Sequence, residues 1–505
     1  MRQFDFIGIN CYTFGQEFNN NNQWVKMISE KVFSEKSAAV ALKDDQGRSL
    51  TYGDLRDFSR GFNDYFKLRS REFVLVLCEN TVPCAAFFYG CLANKVIPLL
   101  LNSEIDREML QRYLSIYRSN YIFKPEKAEI SGAYSPITTY YDYELLKVNA
   151  TPVPVYEELS FLLPTSGTTG NPKLVRHSYH NINLNAANVA QAFGLCGDEC
   201  ALLSLPLHFT QGLSVLCSHL SAGARVFLTD APLNSRVFWN AMKNEGITSF
   251  TGVPFSYEVL DKLRFYRMEL PDLKVISQGG GRMPDELFTK LSAYAASTGR
   301  KFYATYGATE TTARMSCLPP ENAAAKCGSI GKPLQGYRMW LVDEQGGIIE
   351  NPGETGELVF QGGSVTLGYA DNAADLTKGD ERHGVYQTGD LAYRDAEGFY
   401  YIVGRLSRFV KIFGYRINLD ETERLLKSEF NGAFACTGND EKLYLFTSEK
   451  SLELKELTLF LKKRLKLNIA AFEGVYLDEI PKKRSGKTDY GALARMINLR
   501  ANRNE

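Results

Sequence analysis

The sequence predicts an α/β protein, with a large N-terminal part of mixed and parallel sheets covered by helices, a β subdomain, and a small α+β C-terminal part. Short apolar runs alternate with turn residues and helical segments through the first two thirds of the chain, the pattern of helices laid on a sheet. Near residue 335 strand-like runs become separated by Gly, Asp and Glu turns, as in a mostly antiparallel unit. At 505 residues the chain also exceeds what one core holds, and about three domain-sized units follow from the length.

Taken in order, residues 50–55 (Leu-Thr-Tyr-Gly-Asp-Leu) read as a strand turning into a helix, and 73–78 as a β-type apolar run. Residues 83–93, rich in Ala, Phe and Cys, predict a buried helix; Pro83 is tolerated because the first turn of a helix has no partner for its N–H. Another apolar run covers 96–101, and Phe161-Leu162-Leu163 reads as a short buried strand. The strand, turn and helix pattern recurs at 201–205, 225–229, 249–253 and 274–277. The β unit shows runs at 337–342, 356–361 and 399–403. After Arg405 come a strand pair, a helix at 420–428, a strand at 443–447, a Lys/Leu helix at 454–467 and a strand at 475–477. The Lys/Leu helix reads as a solvated amphipathic helix.

Composition narrows the function classes. An apolar fraction of 44% with 23% charged residues is that of a soluble globular protein, and the net charge of zero argues against nucleic acid or an anionic membrane as partner. The N-terminus has an early acid and no long apolar run, unlike a signal peptide. No apolar stretch reaches the roughly 18–20 residues a membrane span needs; the longest is broken by Glu79, Asn80, Asn94 and Lys95. Ten cysteines without Cys-x-x-Cys spacing, and only five histidines, read as free thiols of a cytoplasmic protein rather than a metal site.

The most informative stretch is Pro164-Thr165-Ser166-Gly167-Thr168-Thr169-Gly170-Asn171-Pro172-Lys173. Glycines let backbone N–H groups turn toward an anion, hydroxyls add donors, and Lys173 supplies a positive charge. That is the chemistry of holding a polyphosphate, although the spacing is not that of a Walker A loop. The stretch resembles the phosphate loop of the adenylate-forming superfamily, which includes acyl-CoA synthetases, luciferases and adenylation domains. Further motifs follow in that family's order, and the likeness covers about nine-tenths of the chain, from Leu50 onward.

Tyr306-Gly307-Ala308-Thr309-Glu310 is similar to the family's Tyr-Gly-x-Thr-Glu element. The resemblance implies that Thr309 donates to the α-phosphate, Tyr306 lies against adenine, and Glu310 binds Mg²⁺, a hard cation that prefers oxygen. Gln278-Gly279-Gly280-Gly281-Arg282 resembles the segment lining adenine and the acyl pocket, with Arg282 a departure from the usual pattern. Gln387-Thr388-Gly389-Asp390 matches the family's Thr-Gly-Asp element, which implies that Asp390, helped by Arg405, holds the ribose hydroxyls.

Two C-terminal motifs complete the set. The segment Lys411 to Ile417, with Gly414 and Arg416, resembles the one that swings in for the second step, Gly414 leaving a path for a thiol arm. Pro481 to Lys487 resembles the family's Pro-Lys-x-x-x-Gly-Lys element, which implies that Lys487 bridges the substrate carboxylate and the α-phosphate. On this resemblance the adenylation domain covers 1–404, the hinge 405–408, and a mobile C-terminal domain 409–505.

The activity implied is ATP-dependent formation of acyl-AMP and pyrophosphate, then acyl transfer to the thiol of CoA or of a carrier protein's pantetheine. His208, Phe209, Gln211 and Val215 are the expected acyl-site residues. No acidic residue occurs between Ala201 and Thr229, and burying a substrate ammonium without a counter-charge costs several kcal/mol. The pocket is therefore expected to take an uncharged acyl or aryl acid. A D-alanine-type carrier-protein ligase and a catalytically lost nucleotide-binding regulator are the alternatives.

Overall fold

Phe73–Cys78 is buried at all six residues and organises the first of two large sheets. It lies parallel to Ile97–Asn102 on one side and Tyr121–Pro125 on the other. The connection through Val82–Ala93 buries nearly every side chain of that helix, which is why its apolar residues show no single-faced pattern. The aromatic rings of Phe87 and Phe123 stack 3.7 Å apart beside Phe62 and Phe66. The sheet continues through Leu159–Pro164 to Leu174–Ser178, an antiparallel pair whose register sets Pro164 against Leu174.

This computed structural model describes residues 27–501 apart from 133, 149–150, 165–172, 413–414, 440–441, 466 and 484–486. Among the described residues the second large sheet has nine strands. Val40–Asp44, Arg225–Leu228, Cys200–Leu203, Ser249–Gly252, Val275–Gln278 and Lys301–Gly307 run parallel in that spatial order. Arg314–Leu318 then pairs antiparallel with the last of them. The helix Thr210–Ser221 is buried from Gly212 to Leu220, and its apolar residues join one core with residues of both large sheets. It packs against Tyr179–Phe193, whose entry is fixed by a reciprocal cap between Ser178 and Asn181.

A five-stranded antiparallel sheet includes Arg338–Val342, Thr355–Gln361, Val385–Arg394 and Tyr400–Arg405. The remaining strands form a hairpin, Phe409–Ile412 with Tyr415–Asn418, and a three-stranded sheet covered by Leu419–Glu429 and Leu454–Leu465. This last unit has its own core, with Val410, Ile412, Leu426, Leu443, Leu445, Leu457 and Leu461. It touches the larger unit where Arg424 Nη2 donates to the Val403 carbonyl at 2.7 Å. Arg282 donates to the neighbouring Ile402 carbonyl at 3.1 Å and pairs with Asp285 at 3.0 Å. The described cysteines are all free, and no helix among the described residues is long and apolar enough to cross a membrane.

Candidate active site

Three adjacent parallel strands deliver their carboxyl ends to one edge: Gly252 lies level with Gln278, and Gln278 with Ala304. In open α/β sheets that edge is where ligands bind. Gly279, Gly280 and Gly281 leave the middle strand there. A Cβ on Gly279 would lie 2.5 Å from Gln211 Nε2 and 2.6 Å from Thr305 Oγ1, so three elements close on a point with no room for a side chain. Gly280 has φ of +80°, a conformation glycine adopts without strain. Gly307 serves a different purpose: a Cβ there would sit 1.7 Å from the Ala313 carbonyl oxygen, at the bulge that ends the Lys301–Gly307 strand.

On the nucleotide side, Asp390 projects from Val385–Arg394 with its side chain almost wholly buried. It accepts a hydrogen bond from the Tyr306 hydroxyl at Oδ2 and forms an ion pair with Arg405, whose Nε lies 2.7 Å from Oδ1. Burial and then the Asp390 charge push the Tyr306 pKa well up, so the phenol stays a donor. A carboxylate has about four acceptor positions, so this one keeps acceptor capacity beyond these two partners. Lys487 stands in a turn closed by Lys483 N–H donating to its own carbonyl at 2.7 Å. The residue is exposed, yet protein surrounds it on several sides. That surround, and next the Arg405 guanidinium, lower its pKa against an upward pull from Asp390. Lys487 therefore lies within electrostatic reach of both Asp390 and Arg405.

A third cluster forms around Tyr369. Its hydroxyl donates to Glu310 Oε1 at 2.7 Å. Lys173 Nζ sits 4.2 Å from its ring centre and 3.7 Å from Asp371. Arg382 lies 4.4 Å from the same ring and donates to the Glu310 carbonyl at 3.2 Å. Thr309 and Glu310 open a single 3₁₀ turn, Thr309–Thr311, which ends at Thr312 with φ of +68°. Positive φ is strained for a β-branched residue. It is held by Thr312 Oγ1 donating to the Ser364 carbonyl at 2.8 Å. Behind it His177 is buried against Phe161, and burial lowers its pKa to about 3, so it is neutral. No group of three or more His, Cys, Asp or Glu side chains among the described residues is placed to hold a metal ion by itself.

Thr165, Ser166, Gly167, Thr168, Thr169, Gly170 and Gly414 lie outside the described residues. Lys411 and Arg416 oppose each other in the hairpin register. His208 is buried with its ring 4.4 Å from that of Phe209, which is 39% exposed, and Val215 is buried in the helix. The sequence reading did not single out Tyr369, Arg382 or Arg314. Arg314 had one visible signal: a lone charge in the otherwise uncharged stretch Ala313-Arg314-Met315-Ser316-Cys317-Leu318.

A family model described as AMP-binding enzyme matches residues 29–370. The chain belongs to the AMP-binding enzymes, within the adenylate-forming superfamily. A 2-succinylbenzoate–CoA ligase of Bacillus cereus is 30% identical over 378 residues, covering 70% of this chain and 72% of that protein. That of Bacillus mycoides is 29% identical over 362 residues, with the same coverage of 70% and 72%. Among solved structures, the O-succinylbenzoate coenzyme A synthetase of Bacillus subtilis in complex with AMP superposes with a TM-score of 0.74 at 22% identity. The match covers 91% of this chain and 96% of that one. Klebsiella oxytoca NpsA in complex with 3-hydroxyanthranilyl-AMSN also gives 0.74, at 20% identity, over 92% of this chain and 98% of its own.

This AMP-binding enzyme is an AMP-forming acid–thiol ligase. It adenylates a carboxylate, releasing pyrophosphate, and transfers the acyl group to a thiol.

Proposed function

We propose that the chain is an acid–CoA ligase in which one face of the cleft holds the nucleotide and the other the acid. The observation that carries this reading is the meeting of Lys487, Arg405, Asp390 and Tyr306, drawn from four separated segments. Asp390 takes the ribose hydroxyls, and Tyr306, held by Asp390, borders the base. The phosphate loop ending at Lys173, together with Thr309, binds the phosphates. Glu310 is the residue to hold Mg²⁺, which neutralises phosphate charge when bound. Lys487 donates to the acid carboxylate and the α-phosphate, stabilising charge that grows as the P–O bond to pyrophosphate breaks. The carboxylate is already ionised at neutral pH, so positioning and charge neutralisation replace a general base.

CoA as acceptor is supported by the curated relatives, each named a CoA ligase. A carrier protein has no comparable support. We assign the hinge within 405–408 to the short stretch between two anchored arginines. Arg405 is tied to Asp390. Arg408 is tied to Asp420 at 2.8 Å, to Glu423 at 2.6 Å and to the Tyr490 ring at 3.5 Å. Turning there would withdraw Lys487 and bring up the Lys411 to Arg416 hairpin for thiol attack. The test is acid-dependent ATP–pyrophosphate exchange over a panel of acids, followed by thioester formation with CoA or with a pantetheinylated carrier protein. Exchange with acyl-CoA as product is expected. Absence of exchange with every acid would overturn the ligase reading, and a carrier-only product would overturn the acceptor.

A further inference from the structure

Arg314 is 2% exposed, yet no carboxylate pairs with it among the described residues. Its Nη1 donates to Ser214 Oγ at 3.2 Å and its Nη2 to Thr251 Oγ1 at 3.5 Å; Nε has no hydrogen-bond partner. The Phe193 ring lies 4.9 Å away. Thr251 in turn shares a 2.8 Å hydrogen bond with Ser277. Burial lowers the guanidinium pKa to about 10, so it is still charged at neutral pH. A buried charge held only by hydroxyls and one aromatic face is costly, and a fold without use for it would be better served by an apolar residue.

Its surroundings point to a use. Ser214 lies one helical turn beyond Gln211, on the same helix. Gln211 Nε2 and Gln278 Oε1 are also buried without hydrogen-bond partners. Polar groups thus run from Arg314 to the Gly279 edge, where Gln211 and Thr305 close on the backbone. The missing acid between Ala201 and Thr229 argues against an ammonium on the substrate, but it says nothing against an anion.

We propose that Arg314, with Ser214 and Thr251, forms a subsite for a second carboxylate of the acid substrate, so that the enzyme activates one end of a dicarboxylic acid while holding the other. This corrects the expectation of an uncharged acid and rests on the ligase reading above. A carboxylate entering the subsite would supply the ion pair and occupy Nε. A monoacid of the same size would leave the charge unpaired, which is the condition under which polar sites discriminate strongly.

The experiment compares pyrophosphate exchange by the full-length enzyme for matched pairs, each an aliphatic or aromatic dicarboxylic acid and its monoamide. Wild type is expected to favour the best diacid over its monoamide by about 100-fold or more in kcat/KM. In Arg314→Met that ratio should collapse to within about fivefold while monoamide exchange persists, and Arg314→Lys should recover part of it. A merely structural role would lower both substrates together. Equal use of the two members of every pair by wild type, or an unchanged ratio in Arg314→Met, overturns the proposal. Should Arg314→Met not fold, Ser214→Ala carries the same comparison and is expected to reduce the ratio about tenfold; an unchanged ratio there overturns the proposal. Failure of all acids to support exchange would sink the ligase reading itself, a different result from monoacids exchanging as well as diacids.

Discussion

At the nucleotide end of the cleft Asp390 already holds Arg405 and Tyr306, whereas at the acyl end Arg314 is buried with no carboxylate beside it among the described residues. Other groups at the nucleotide end are paired as well: Lys173 has Asp371, Glu310 has Tyr369, and Arg382 has the Glu310 carbonyl and two tyrosine rings. Such groups are oriented before a ligand arrives, and a polyanion or diol can add to the network without exposing a bare charge. The acyl end instead leaves Arg314 Nε, Gln211 Nε2 and Gln278 Oε1 without hydrogen-bond partners among the described residues. Pre-pairing gives a rigid, general grip on a nucleotide common to many ligases. An unmatched cation makes the correct acid worth more than its near neighbours.

The difference can be broken most severely at Lys487. Lys487→Ala is expected to reduce acid-dependent pyrophosphate exchange by about 100-fold or more, the scale for one transition-state contact. Conversion of chemically supplied acyl-AMP to acyl-CoA should stay within a few-fold, and near-normal exchange would remove the residue from its proposed role. Gly414→Leu should do the reverse. Thioester formation is expected to fall by roughly tenfold or more as the thiol path fills, while exchange is spared and acyl-AMP accumulates in quench-flow samples. Equal loss of both steps would make the segment structural.

Asp390→Asn tests pre-pairing itself. Losing a charge-assisted contact should raise KM for ATP by about 10-fold or more with little change in KM for the acid. A matching rise for both would show that the two ends are not separable. Gly279→Ala is expected to be milder, because the clash falls on two side-chain ends, Gln211 Nε2 and Thr305 Oγ1, rather than on backbone. KM for the acid should rise a few-fold while KM for ATP holds. The smallest effect concerns pH. Burial and Arg405 hold Lys487 below its ordinary pKa of 10.5, so the charged form is lost earlier on raising pH. The alkaline limb of the exchange profile should therefore fall below that of an ordinary lysine, and Asp390→Asn should move it lower still. A limb unmoved in that variant would separate Lys487 from Asp390.

How legible each element was depended on where its stabilisation comes from. Phe73–Cys78 and Leu443–Thr447 stand out as uniform apolar runs bounded by polar residues, and the structure gives them those limits. Val385–Arg394 reads poorly by itself, since Gln387, Thr388, Gly389 and Asp390 suggest a turn. It is a ten-residue strand because Thr355–Gln361 and Tyr400–Arg405 supply partners on both sides. Asp390 was legible through its motif, but its contacts with Tyr306 and Arg405 required Val385–Arg394 to meet both Lys301–Gly307 and Tyr400–Arg405.

By itself the sequence determined the α/β class, several of the strand runs and the chemical character of the stretch from Pro164 to Lys173. Apolar period, glycine placement and hydroxyl clustering are local properties, and folding leaves them where they are. What became of Arg314 was decided only by tertiary structure. The groups that hold it, Ser214 and Thr251, lie 100 and 63 residues away. Whether a charged side chain ends in water, in an ion pair or in a substrate pocket depends on which distant segments pack against it, since the cost of burying charge is set by the whole surround.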